Sequence, residues 1–398
     1  MRVERAAVPA TAGTVLQLIR TGAASTRSEV GRITGLSRSA VTLRLEQLMS
    51  RGLVVERSFA PSTGGRPPSR LELNPDGVVL IASLGATRAR VAVCDLTGAV
   101  VLDSRADLVV GEGPELVVPA LLDRFEELLE KCGRDREHVL GLGVSVPGTV
   151  EFAAGRIIRP PIMPTWDEVV LAPLVQGRFP VPVLVDNDVN AMALGEHSAV
   201  YRGEVDDLLF VKVSTGIGAG IIAGGRLQRG ALGAAGDLGH IPVHDGAGAR
   251  CHCGLEGCLE ALAGGPALMA QMQAAGLPAS HLLDVVDLVR AGRPEAVRAV
   301  REAGRRIGEV LAGAVNLLNP AVIVLGGDLA RADEQLLPGI REVVYQRSNA
   351  LATRELRIVA SPLGGRGSIL GSAVMVLDEV LSPAAVDGTP SPGRPADR

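Results

Sequence analysis

Between Gly233 and Glu260 the chain reads GAAGDLGHIPVHDGAGARCHCGLEGCLE, placing one histidine and three cysteines at spacings that suit a metal. His240, Cys251, Cys253 and Cys258 can close a tetrahedron of one nitrogen and three sulfurs. Zn²⁺ fills such a shell completely in structural sites, which leaves no open position for catalysis. Gly254 and Gly257 allow the tight turns that return the last thiolate to the first two. Apparent zinc binding energies of roughly 10 to 16 kcal/mol offset the cost of ordering such a loop, so it is expected to collapse without metal. A disulfide or a pair of inert buried thiols is the alternative. The remaining cysteines, Cys94 and Cys132, are isolated and no secretory segment is present, which argues against it.

At 398 residues the chain can hold two or three domains. Aromatic residues make up only 2%, so there is no platform on which single-stranded bases could stack, and any nucleic acid bound is expected to be duplex DNA. No run approaches the ~18 apolar residues of a membrane span and the N-terminus lacks an apolar signal region, so a cytoplasmic protein with no membrane partner is expected. Charge is unevenly distributed. Residues 1–72 carry 11 arginines against 5 acidic residues, whereas the remainder carries 29 basic and 39 acidic residues. A positive module on a negative body suits docking on DNA through one end.

That first module reads as helix, turn, helix. Val15, Leu16, Leu18 and Ile19 mark a first helix. Thr26 with Glu29 forms a capping box opening a second, expected to bury Val30 and Ile33 before Gly35 breaks it. Ser37 caps a third helix in which Val41, Leu45, Leu48 and Met49 share one side, until Gly52 stops it. LVVERSF and SRLEL follow as two short strands around PSTGGRPP, which makes a wing. Arg38, Ser39, Thr42 and Arg44 are the side chains expected at base edges or phosphates in the major groove, with Arg66 entering an adjacent minor groove. A three-helix protein-interaction module is the alternative reading.

From Gly77 three alternating apolar runs separated by turn residues predict a β-meander. A helix over residues 115–130 follows, with Leu116, Val117, Leu121, Leu122, Phe125, Leu128 and Leu129 at helical intervals. HVLGLGVSVPG adds a strand, and the whole indicates an α/β lobe. VPVLVDNDVNAMALGE runs from strand into helix at Asn187 and Asp188, putting both side chains at a strand's carboxyl end, where α/β proteins gather ligands; taken alone, Asp188 reads equally as a helix cap. STGIGAG lies between two apolar strands, as a turn or a phosphate loop. Helices are expected from Pro266 to Ala275, from Pro294 to Leu318 and from Ser368 to Leu381. The final residues, 382–398, have the composition of a disordered tail.

GAAGDLGH followed by CHCGLEGCLE closely resembles the signature of the ROK family, which unites bacterial sugar kinases and sugar-responsive repressors, and the head resembles the winged heads of the family's repressors. The resemblance implies an N-terminal winged helix-turn-helix (1–72) ahead of a two-lobed ribonuclease H-like, actin/hexokinase-type body (75–190 and 191–381) with a structural zinc loop. It implies that His240 serves zinc with one ring nitrogen and a sugar with the other, and that Asn187, Asp188 and Glu260 contact the sugar. Asp237 stands where the family's glutamate is one methylene longer, and Ile162 where many kinases carry an asparagine. Asp188 would be the catalytic base if kinase activity were retained.

In active kinases of this type the first hairpin carries DxGGT, matched here by Ser83, Leu84, Gly85, Ala86 and Thr87. The acid that organises Mg²⁺ is missing, and Ala86 adds a methyl where backbone must approach phosphate. Gly85, Thr87, Thr215, Gly216, Gly218, Gly326 and Gly327 are the remnants of nucleotide loops, and ATP with Mg²⁺ is not expected. The reading is a DNA-binding, sugar-responsive regulator, most simply a repressor, acting on double-stranded operator DNA as a homodimer or homotetramer. An ATP-dependent sugar kinase carrying an extra domain is the competing hypothesis.

Overall fold

The computed structural model describes residues 11–58, 69–86, 88–160 and 162–388. Three helices open the chain: α1 (Ala12–Arg20), α2 (Arg27–Thr34) and α3 (Arg38–Ser50). Each starts on a side-chain cap. Thr11 accepts from Thr14 N, Thr26 from Glu29 N, and Ser37 from Ala40 N, while Glu29 closes its box by accepting from Thr26 N at 3.0 Å. Gly35, with φ 73°, ends α2 in the left-handed conformation that favours glycine. Strands β1 (Val54–Ser58) and β2 (Ser69–Leu73) then pair antiparallel and complete the winged helix-turn-helix.

The body repeats one plan twice. In the first sheet β3 (Val78–Leu84), β4 (Ala89–Asp95) and β5 (Val100–Ala106) form the expected meander. Helix α4 (Pro114–Lys131) leads to β6 (Val139–Val146), and beyond the small hairpin β7 (Thr149–Glu151) and β8 (Arg156–Ile158) come α5 (Ala172–Gln176) and β9 (Val183–Asn187). The strand order is β5-β4-β3-β6-β9, with β6 and β9 added in parallel. Helix α6 (Asp188–Glu196) leads into the second sheet. There β10 (Leu208–Val213), β11 (Ile217–Ala223) and β12 (Arg226–Gln228) form an antiparallel set. Helices α7 (Leu259–Ala263), α8 (Gly265–Ala274), α9 (Leu282–Arg290) and α10 (Pro294–Leu318) follow, then β13 (Val322–Gly326), α11 (Asp333–Arg347), α12 (Ala350–Thr353) and β14 (Arg357–Ala360). This sheet reads β12-β11-β10-β13-β14, again three antiparallel strands extended by two parallel ones.

Helix α13 (Gly367–Val380) crosses back to the first sheet, packing on β3 and β6 and along α6. The two helices meet backbone to backbone. A Cβ on Gly371 would lie 1.7 Å from Ala191 O, and one on Gly195 would lie 2.0 Å from Gly367 O, so only glycine fits at this crossing. One apolar cluster runs from Val15, Leu16, Leu45 and Leu48 of the head, through Val79, Ile81 and Cys94 of the first sheet, to Ile369, Ala373 and Leu377 of α13. The head and the back of the first sheet therefore share a core.

Three expectations need correction. Residues 383–388 are not disordered but form α14 (Pro383–Gly388), because Ser382 Oγ accepts from Ala385 N and Val386 buries itself against the head. Asp387 Oδ1 accepts from Gly13 N at 2.9 Å, and Arg51 donates to Val386 O. Ile33 is 43% exposed, since at about 60° round the helix from Val30 it lies at the margin of the buried stripe. Leu116 is 64% exposed and sits about 135° from the centre of the stripe formed by Val117, Leu121, Phe125 and Leu128.

Glu196, at the end of α6, is fully buried. Ser361 Oγ donates to its Oε2 at 2.7 Å, and its Oε1 has no hydrogen-bond partner among the described residues. Burial pushes this carboxyl above the usual carboxylate range, partly opposed by the Ser361 hydrogen bond. The folded state thus holds the proton more tightly than the unfolded one. Its stabilising contribution is complete below the unfolded carboxylate value near ~4.3 and is lost as pH rises through the folded value. Glu196→Gln should therefore match the wild type in melting temperature at pH 4 and exceed it at pH 8, as read by thermal unfolding across that range.

Candidate functional site

The site gathers around the start of α6. Asn187 caps the helix, its Oδ1 accepting from Val189 N at 2.8 Å and Asn190 N at 3.4 Å, while its Nδ2 donates to Gly148 O at 2.9 Å. Asp188, the first helical residue, is nearly buried, and its Oδ2 lies 2.5 Å from Lys212 Nζ of β10. Asp186, on the other side of Asn187, is buried. Its Oδ2 accepts from Arg229 Nε at 2.8 Å, and its Oδ1 from Asn190 Nδ2 at 2.9 Å. The Arg229 guanidinium lies 3.7 Å over the Phe152 ring. Two carboxylates near the carboxyl end of the first sheet are thus each matched by a cation from the second.

Strand β10 connects this group to the next. Two residues beyond Lys212 it turns through Ser214, Thr215 and Gly216, and that turn receives Glu260 from α7. Ile217 N donates to Glu260 Oε2 at 2.7 Å, and a Cβ on Gly216 would lie 2.7 Å from the same oxygen. Glu260 Oε1 stands 3.2 Å from His252 Nδ1. Asp237 lies 3.9 Å from His240 Nε2 through its Oδ1, with most of its side chain in solvent.

His240 Nδ1 points the other way, 3.6 Å from Cys251 Sγ, and Cys253 Sγ is 3.7 Å from Cys258 Sγ. The four donor atoms of His240, Cys251, Cys253 and Cys258 all lie within 4.8 Å of one another. A tetrahedron with metal–sulfur bonds of ~2.3 Å has edges near ~3.8 Å, so the group has the dimensions of a metal shell. Burial, and then the hydrogen bonds and charges of the two neighbouring thiols, push the Cys258 thiol up to about 12; three sulfurs this close need a cation to hold them as thiolates. Gly254 (φ 91°) and Gly257 (φ 81°) make the turns between the last two cysteines. His240, His252 and Glu260 form a second group of potential ligands beside the first.

The phosphate-loop remnants serve as packing and stitching here. Gly218 and Gly220 let β11 lie against α6, where a Cβ on Gly220 would meet Ala193 at 2.4 Å. A Cβ on Gly326 would strike the Phe210 ring, and Gly327 has φ 88°. Ser214 Oγ donates to Asp328 Oδ2 at 2.7 Å, joining the two loops, while Thr215 is exposed. Gly85 N donates to Arg88 O at 2.8 Å, and Ser83 stands between Arg90 and Ser145 in the sheet, with no acid at the position. Thr87 falls outside the described residues.

On the head, Arg38 and Ser39 are exposed at the start of α3. Thr42 Oγ1 accepts from Arg27 Nη1 at 3.3 Å, and Arg27 itself pairs with Glu56 at the wing. Arg44 lies on the opposite flank, about 160° round the helix from Thr42; it donates to Gln47 Oε1 and faces a hollow shared with Arg51, Val386 and Asp387. The structure sets it apart from the other expected DNA contacts. Arg66 falls outside the described residues.

Sequence reasoning missed Lys212, Arg229 and His252. A sharper signal was available for the first: the chain has only two lysines among 40 basic residues, and Lys212 interrupts an apolar strand.

The family model described as ROK family matches residues 80–379. The chain is 31% identical over 382 residues to the xylose repressor of Caldicellulosiruptor bescii, covering 92% of this chain and 95% of that protein. Among solved structures it resembles a ROK family transcriptional regulator, a homologue of the E. coli MLC protein, with a TM-score of 0.79 and 28% identity over 94% of this chain and 96% of that one. A ROK hexokinase from Thermus thermophilus matches with a TM-score of 0.63 and 33% identity, covering 76% of this chain and 99% of the hexokinase. The chain belongs to the ROK family.

Proposed function

We propose that this chain is a sugar-responsive transcriptional repressor that binds duplex operator DNA through its winged head and a sugar through the cleft at Asn187, Asp188, Asp237, His240 and Glu260. One observation carries the reading: the head shares a continuous core with α13, which meets backbone to backbone the helix that begins at Asp188. A ligand that favours one arrangement of the lobes then acts on α6, and through α13 on the pose of each head within a dimer. Only a difference in affinity for the two arrangements drives such a shift, and a coupling of ~1 to 3 kcal/mol suffices. Similarity to a regulator over nearly the whole chain supports this, whereas the hexokinase matches about three quarters of it. No helix among the described residues is long and apolar enough to cross a membrane.

We infer that zinc occupies the His240, Cys251, Cys253 and Cys258 group and serves the structure. Bound there, it would fix the loop that carries His240 and so aim Nε2 at the cleft. Neighbouring Glu260 would accept hydrogen bonds from sugar hydroxyls through Oε1, the oxygen that stands beside His252 Nδ1, and Asp188 would do so through Oδ1. Phosphoryl transfer is disfavoured by Ser83, which supplies no charge for Mg²⁺, and by the ion pair that engages Asp188.

Three outcomes are expected. In gel-shift titrations with its own promoter region, the protein should bind in a salt-sensitive, sequence-selective way. Arg38→Ala should weaken that binding by ~1 to 3 kcal/mol, and the effector sugar should weaken it about 5- to 150-fold. Indifference of the complex to every sugar tried would count against the repressor reading. Native mass spectrometry should find one zinc per chain, and chelation should lower the melting temperature and abolish sugar binding; full stability in metal-free protein would remove the zinc assignment. In a coupled assay with ATP, Mg²⁺ and glucose, N-acetylglucosamine or xylose, no turnover is expected, and turnover lost on Asp188→Asn would restore the kinase hypothesis.

A further inference from the structure

Lys212 has no part in the ligand contacts assigned above. Its side chain is 22% exposed, it stands next to last in β10, and its ammonium meets Asp188. Arginine supplies nearly every other cation in the chain. The distinction matters, because an ammonium is a compact point charge that one carboxylate oxygen can neutralise, whereas a guanidinium presents a fork of five donors.

The charge balance of the cleft follows from the pairs. Lys212 is matched by Asp188, and Arg229 by Asp186. The groups left facing the cleft are then the carboxylates of Asp237 and Glu260, with Glu260 already holding one backbone N–H, and the rings of His240 and His252. Among the residues gathered at this cleft no cation is left over for a phosphate or a carboxylate on the ligand. Acceptors are plentiful, and hydroxyl groups are the donors that satisfy them without bringing charge.

We propose that Lys212 determines the charge class of the ligand: by neutralising Asp188 it sets the cleft for an uncharged, unphosphorylated sugar and against sugar phosphates and sugar acids. The proposal rests on the sugar-binding reading above and refines it. Asp188 acts as a fixed acceptor, with Oδ2 held by the ammonium and Oδ1 open to one hydroxyl. Removing the ammonium leaves an unmatched carboxylate, which favours a cationic ligand. Removing the carboxylate leaves an unmatched ammonium, which favours an anionic one.

Calorimetric titration of the full chain tests this with D-xylose and D-glucose, the terminal phosphate and the aldonic acid of each, and D-glucosamine. The wild type should bind a neutral sugar at least about tenfold more tightly than its phosphate or its acid. Lys212→Met should shift the glucosamine-to-glucose affinity ratio at least about tenfold toward the amino sugar, and Lys212→Arg should hold it near the wild-type value. Asp188→Asn, which leaves Lys212 in place, should shift preference the opposite way, toward the phosphate and the acid; this second variant keeps the test open if Lys212→Met does not fold. A wild type that prefers a phosphorylated or acidic sugar overturns the proposal, as do variants that weaken all ligands by one common factor. A wild type that binds none of these sugars overturns the sugar reading itself, an outcome separable from unaltered selectivity in variants of a protein that does bind.

Discussion

The contact between α6 and α13 is the constraint on which the rest of the molecule depends. No side chain separates the two helices where Gly195 and Gly371 meet, and Gly220 lets β11 close on the other side of α6. Helix α6 is therefore gripped between the second sheet and a helix that packs on the first, while its own N-terminus continues β9. Close packing of this kind resists continuous deformation and admits only discrete rearrangements. The position of Asp188 is set by three elements at once, α13, β11 and β9, and none of them is a loop.

Within that frame the cleft follows a consistent rule. Each acidic side chain at its centre has one oxygen committed to the protein: Asp188 to Lys212, Glu260 to the Ile217 amide, and Asp186 to Arg229 with its second oxygen held by Asn190. Preorganised acceptors of this sort need little rearrangement when a polyhydroxy ligand arrives.

Local features were legible in the sequence and distant partnerships were not. The caps at Thr26 and Ser37, the meander, and the metal-sized group at His240, Cys251, Cys253 and Cys258 all depend on residues close together in the chain, so spacing alone exposes them. Lys212 and Asp188 are 24 positions apart and Arg229 and Asp186 are 43 apart, and only the approach of the two sheets joins them. Arg38 and Arg44 both lie off the apolar side of α3, and only the distant α14 reveals that Arg44 faces a hollow shared with Val386 and Asp387. The glycines of STGIGAG look like a phosphate cradle in sequence, yet two of the spaces they leave are filled by Glu260 and α6. The polar composition of the last residues masked Val386, whose burial together with the hydrogen bonds of Asp387 and Arg51 seats a short helix on the head.

That seat has a consequence for how the protein is made. Helix α1 emerges from the ribosome well before the surface that covers Gly13 and Gln17, since Leu381 O accepts from Gln17 Nε2 and Asp387 from Gly13 N, 364 and 374 positions apart. At roughly 5 to 20 residues per second, on the order of 20 to 70 s separate the two ends of this contact during synthesis. A nascent or truncated chain ending before residue 383 carries the helices of the head without this support, so the head is completed only after the body has been translated.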